Sequence, residues 1–444
     1  MMKPLFAGCF ILLLLVDVAL LVESRPYNDR RRGRDDDDNS PDHDRHRRGG
    51  DDDDDDGNSP DHDRHRRGGD DDDSSPDHHH HRRGGDDDDD DDNSPDRDHH
   101  RRGGGDDDDD RDHHRRGRDD DDDDETLPKL FVFGDAAADN GNFPDPGLSQ
   151  DSRAWHYPYG MSDDDNDNHP SGRFSNNMVQ SDFLGKILGY KESPPAYSDY
   201  KPGKGRRINR IDPSGMNFAN ASAAVWYEVP KMSEQVEQLK NLIEDGAITK
   251  QDLDDSVALI AFSGRDYDRF TSTDKIRSFA FLVTNEMVRI VNQLQDLGVS
   301  KILVNTLPPL GCTPSRSSGS DYKHCDQNRN GISDAHNSGL ADKLGKKEGV
   351  MLLDVNTAVT NLLQSSSFRG MGSSPCCETK DRNAGYCGQY SADGRRPQFT
   401  VCRRPDDYFY WDNVHPTHAG WKAVMQKLQR PIMDFLDIPN LNNL

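Results

Sequence analysis

The stretch Leu130-Phe131-Val132-Phe133-Gly134-Asp135-Ala136-Ala137-Ala138-Asp139-Asn140-Gly141-Asn142 reads as a buried strand that runs into a glycine and then a polar loop. Its four apolar residues are short, continuous and closed by Gly134, the pattern of a strand covered on both faces. Three runs of the same kind follow, Val257 to Phe262, Ile302-Leu303-Val304 and Val350 to Leu353. Residues 278–297 set Phe279, Phe281, Leu282, Met287, Ile290, Val291 and Leu294 near helical spacing, and residues 332–347 and 417–435 behave similarly. Strand alternating with helix predicts a parallel sheet with helices on both faces, a three-layer α/β/α domain whose ligand site lies at the carboxyl ends of the strands.

Upstream of this domain the composition changes. The 444 residues are 31% hydrophobic and 31% charged, with a formal charge of −27. Residues 26–125 hold 42 acidic and 19 Lys/Arg side chains, a net of −23, while residues 1–25 balance, which leaves −4 for residues 126–444. Low hydrophobicity is therefore a property of the upstream segment, not of the domain. Asp runs recur at 35–38, 51–56, 70–73, 86–92, 106–110 and 119–124, separated by His/Arg clusters that end in Arg-Arg-Gly. No unit carries an apolar face that stacking would bury, so residues 25–126 are expected to be a disordered spacer rather than a solenoid. Its carboxylates offer weak, multivalent contacts to Ca²⁺, and twelve histidines, His78 to His81 among them, offer contacts to Zn²⁺. The same carboxylates repel phosphate, which argues against a nucleic-acid partner.

Residues 1–24 read as an export signal: Lys3, then an apolar run from Leu5 to Val22, then Val22-Glu23-Ser24 with small residues at cleavage spacing. Asp17 interrupts the run and no other long apolar segment follows, so no membrane span is expected and the mature chain is read as secreted. Without Cys9, six cysteines remain: Cys312, Cys325, Cys376, Cys377, Cys387 and Cys402. An even number in a secreted chain points to disulfides, and six cysteines permit fifteen pairings among which sequence does not choose.

The segment from Phe131 to Asn142 resembles the first block of the GDSL esterase/lipase family, in the SGNH hydrolase superfamily, whose members carry Gly-Asp-Ser where this chain has Gly134-Asp135-Ala136. Further stretches resemble the family's later blocks in the same order: Gly172-Arg173-Phe174, Gly215-Met216-Asn217-Phe218-Ala219, Gly264-Arg265-Asp266, Leu310-Gly311-Cys312-Thr313-Pro314 and Asp412-Asn413-Val414-His415-Pro416-Thr417. The resemblance spans residues 130–424 and implies a flavodoxin-like sheet and serine ester hydrolysis. By that resemblance Asp412 would orient His415, and His415 would take the proton of the serine hydroxyl. The nucleophile position, however, is Ala136, whose methyl group cannot attack a carbonyl. The positions implied for oxyanion donors are Ser222, where glycine is expected, and Arg265, where asparagine is expected.

Ser152, Ser175 and Ser263 lie in neighbouring segments, each with an ordinary explanation as a turn, cap or strand-end residue. Arg265 is expected to pair with Asp266 or Asp268, with binding of a carboxylate or phosphate as the other reading. Asn220-Ala221-Ser222 is an N-glycosylation acceptor sequence. The chain thus divides into a signal (1–24), an Asp/His/Arg-rich segment (25–126) and a GDSL esterase/lipase-like domain (127–444). The expected function is non-catalytic binding of an ester or lipid ligand, without a cofactor. The alternative is a carboxylic ester hydrolase with a non-standard nucleophile.

Overall fold

The computed structural model describes residues 127–444 except 201–208, 227–229, 269–274, 369–372 and 440–443. The expected export signal and the Asp-rich segment lie outside the described residues.

Five strands, β1 (Lys129–Gly134), β2 (Gly215–Asn217), β3 (Ser256–Ala261), β4 (Lys301–Asn305) and β5 (Val350–Leu353), form one sheet in the order β2-β1-β3-β4-β5. All four pairings are parallel; Val132, for example, lies opposite Asn217 on one side and Leu259 on the other. This is the doubly wound order 2-1-3-4-5, in which the chain leaves β1 toward one edge and returns to its other side with β3. The crevice at the carboxyl ends of β1 and β3 is where such a sheet takes ligands.

The period of two along β1 divides its side chains between two cores. Phe131 and Phe133 pack with α2 (Met232–Glu244), α4 (Ile276–Leu297) and α6 (Gln327–Leu344). Leu130 and Val132 pack with α1 (Gln180–Ile187), α7 (Val355–Gln364) and α8 (His418–Leu436). The three-layer expectation is met, and the four strands and three helices read from the sequence are present with ends shifted by a few residues. Not anticipated were β2, which is only three residues long, and α1, α2, α7 and the five-residue α3 (Lys250–Asp254). A small antiparallel pair, β6 (Cys377–Thr379) with β7 (Phe399–Val401), was also unforeseen.

The polar residues of α6 fasten the loop after β4. Asn337 accepts from Leu307 N at 2.7 Å and donates to Leu307 O at 3.0 Å, Ser333 Oγ donates to Pro308 O at 2.7 Å, and Asn330 accepts from Gly311 N at 2.9 Å. The six cysteines form three disulfides, Cys312–Cys325, Cys376–Cys402 and Cys377–Cys387. Among the described residues no helix is long and apolar enough to cross a membrane.

Candidate functional site

Loops after β1, β2 and β3 and the segment before α8 meet at the carboxyl edge of the sheet. Gly134 closes β1 with φ +151°, and a Cβ there would stand 2.2 Å from Ala261 O, so only glycine lets β1 and β3 end side by side. Asp135 then joins the two loops: its Oδ2 accepts from Ser263 N at 2.7 Å and Ser263 Oγ at 2.8 Å, and its Oδ1 accepts from Ala137 N at 3.1 Å. Burial pushes its carboxyl pKa up, against the opposing effect of these hydrogen bonds. Asp139 accepts from Gly141 N, Asn142 N, Phe143 N and Ala221 N, which ties the β1 loop to the β2 loop.

These loops enclose a cleft of about 170 Å³ lined by Ala136, Ser222, Arg265 and His415, four of the five site positions expected from the sequence. The fifth, Asp412, is buried behind His415. His415 Nδ1 lies 2.9 Å from both Asp412 oxygens. Oδ1 also accepts from Val414 N at 2.9 Å and His415 N at 2.8 Å, and Oδ2 accepts from Tyr159 Oη at 2.7 Å and Arg153 Nη2 at 3.1 Å. Burial alone would raise this carboxyl, but His415, Arg153 and the hydrogen bonds hold it well below the usual carboxylate range. Arg153 is itself held by Tyr159 Oη at 2.8 Å and lies over the Phe174 ring at 4.8 Å. The Phe174 ring lies 4.7 Å from the His415 ring, so the imidazole is oriented by a carboxylate on one edge and packed by an aromatic ring.

At position 136 the cleft meets a methyl group that is 6% exposed. Ser222 N donates to Asn220 Oδ1 at 3.2 Å, and Ser222 Oγ to the same atom at 3.0 Å. The expected pairing of Arg265 is corrected: its nearest carboxylate is Asp151, at 3.9 Å. Asp266 is turned the other way, accepting from Val225 N and Trp226 N at 2.8 Å each, and Asp268 lies 3.8 Å from Arg316. Gly264, with φ +106°, opens the turn that points 265 and 266 to opposite sides. Of the other serines, Ser263 lines the cleft and donates to Asp135, Ser152 Oγ donates to Gly147 O, and Ser175 Oγ accepts weakly from Asn177 N at 3.4 Å.

Sequence reasoning missed Arg153 and Tyr159, 259 and 253 residues from Asp412, and also Ser315, Arg316 and Arg329 in the cleft wall. Ser315 and Arg316 directly follow the Leu310 to Pro314 block, which was the one available signal.

A doubly wound parallel sheet whose carboxyl edge carries a half-buried imidazole oriented by a buried carboxylate is a scaffold on which acid–base chemistry can be mounted. The profile of the GDSL-like lipase/acylhydrolase family matches residues 130–428, and the chain belongs to that family. Among its relatives are three proteins of Arabidopsis thaliana. GDSL esterase/lipase At5g03600 is 32% identical over 335 residues, covering 70% of this chain and 97% of the relative. GDSL esterase/lipase At5g03610 is 30% identical, covering 68% and 86%, and GDSL esterase/lipase At2g36325 is 33% identical, covering 68% and 85%.

Proposed function

We propose that this chain is a secreted member of the family that binds an ester- or lipid-like ligand in its cleft without hydrolysing it. The observation that carries this reading is the methyl group of Ala136, which stands in the cleft beside His415 where an attacking hydroxyl would be required. The changes at the two oxyanion positions support it. The backbone N–H at 222 is engaged by Asn220, and Arg265 reaches toward Asp151, so neither resembles a donor held ready for a developing oxyanion. Asp412 and His415 persist as an orienting pair without a nucleophile to serve. Export through residues 1–24 and a cation-contacting role for the Asp-rich segment 25–126 belong to the same proposal. Three disulfides suit the oxidising compartment that export implies.

The test is hydrolysis of short-chain aryl esters by the purified mature protein. Wild type should turn them over no faster than His415→Ala. Ala136→Ser alone should recover little, since each missing oxyanion donor costs about 3–4 kcal/mol of transition-state stabilisation. A wild-type rate well above the His415→Ala control would overturn the reading. It would favour the second one, hydrolysis through another hydroxyl, for which Ser263 and Ser315 in the same cleft are the candidates. Fluorophosphonate labelling of either serine would identify it.

A further inference from the structure

The cleft has a second chemical feature besides the Asp412–His415 pair. Arg265, Arg316 and Arg329 all line it, from three separate elements: the turn after β3, the short helix α5 (Pro314–Ser317) and the first turn of α6. Their carboxylate partners are poor. Arg265 stands 3.9 Å from Asp151 and Arg316 stands 3.8 Å from Asp268, both beyond hydrogen-bond distance, and the two carboxylates are 64% and 74% exposed. Among the described residues neither guanidinium donates a side-chain hydrogen bond. Among the same residues the Arg329 guanidinium donates to Tyr267 O, at 3.0 Å.

The three cations also share a neighbouring carboxylate. All lie within electrostatic reach of the single carboxylate of Asp268. Burial and the Arg316 charge lower the pKa of Arg329, against the opposing charges of Asp268 and Asp326. The third lining carboxylate, Asp135, is turned to Ser263 and Ala137 and does not offset them. Exposed single ion pairs of this length contribute little, because water competes for both charges. Guanidinium forks that converge on one cleft and lack hydrogen-bonded partners are instead suited to an oxyanion, which accepts from several N–H groups at once.

We propose that the cleft binds a small organic anion, its phosphate or carboxylate group held by Arg265 and Arg316 with Arg329 alongside, and its uncharged end directed toward Ala136 and His415. The inference rests on the reading of the cleft as a binding site and gives that site a ligand class.

The experiment is calorimetric titration of the intact mature protein with inorganic phosphate and, separately, with succinate, comparing wild type with the double variant Arg265→Gln/Arg316→Gln. Arginines of the Asp-rich segment are common to both forms and cancel in the comparison. Both substituted side chains are partly exposed, and an unchanged circular dichroism spectrum verifies that the variant folds. Wild type should bind at least one anion saturably at one site per chain, more weakly as salt is raised, and the double variant should bind it about tenfold or more weakly. Tighter phosphate binding assigns a phosphate group to the ligand, and tighter succinate binding a carboxylate. Failure of both anions to saturate, or binding by the double variant within about twofold of wild type, overturns the proposal. Ester hydrolysis by wild type would remove the non-hydrolysing reading and leave this anion site standing. Unchanged anion binding in the double variant would do the reverse.

Discussion

Asp412 shows how a single buried charge is accommodated. It is 2% exposed and would be costly to ionise there without partners, yet both its oxygens are surrounded by donors from Arg153, Tyr159, Val414 and His415. Removing one charged partner from a buried pair leaves an uncompensated charge, and that penalty exceeds the loss of one neutral donor. Arg153→Met should therefore cost about 3–5 kcal/mol and Tyr159→Phe about 1.5–3 kcal/mol of unfolding free energy in urea titrations at pH 7. An Arg153→Met cost below that of Tyr159→Phe would mean that the guanidinium is not the principal counter-charge. Arg265 illustrates the opposite case, a half-exposed charge that among the described residues has only the distant Asp151 carboxylate, 3.9 Å away, which is why binding is read from it rather than stability.

Among the helices, α6 joins the core to the site. Its His336 is fully buried, with Nδ1 at 2.8 Å from Tyr267 Oη and, among the described residues, no partner for Nε2, against the Phe262 ring at 5.7 Å. Burial, assisted by the Lys343 charge, pushes its pKa down from 6.5 to about 3. The folded value lies below the unfolded one, so as pH falls the unfolded chain takes up the proton first. This contribution to stability is complete above pH 6.5 and is lost progressively down to about pH 3. Between pH 7 and 4 the loss should reach about 3 kcal/mol. His336→Gln should be less stable than wild type at pH 7 but lose less stability on acidification to pH 4, as followed by urea unfolding at the two pH values. Equal losses in both proteins would show that His336 does not titrate in this window. Other groups that titrate in this window, such as Asp139, which burial raises to about 6, are common to both proteins and cancel in the comparison.

At the scale of the molecule, the 376–402 segment is closed by two disulfides over a small core of its own, in which Phe399, Trp411 and Tyr159 pack. Cys376 N donates to Tyr410 O and Cys377 N to Trp411 O, so the segment runs along the two residues just before Asp412. Opening the 26-residue loop by Cys376→Ser/Cys402→Ser should cost about 3–4 kcal/mol in the chain-entropy account and lower the thermal midpoint by roughly 6–15 °C. Differential scanning calorimetry measures this, and a shift below about 2 °C would show that the β6–β7 pair holds the segment unaided. Because the segment supports Tyr159 and Asp412, anion affinity in the cleft should be far less affected than the packing around His415.

What the sequence determined by itself is what local periodicity can encode. Phe131 and Phe133 alternate with Leu130 and Val132 because each face of β1 meets a separate layer of helices, and that demand is written in consecutive residues. The same holds for α4 and α8, and the motif residues Ala136, Ser222 and Arg265 reach one cleft because they follow strand ends that the sheet order brings together, where His415 joins them from the segment before α8. A three-residue strand such as β2 carries too few side chains for a period, and the polar face of α6 follows from a loop it fastens, not from solvent. The tertiary structure alone decided the partner of Arg265, the pairing of the cysteines, the attachment of Arg153 and Tyr159 to Asp412, and the entry of Arg316 and Arg329 into the cleft. Apart from the cysteine pairs, which lie 10 to 26 residues apart, each is a contact between segments far apart in the chain, and its geometry is set by where the sheet and helices close, for which neighbouring residues hold no record.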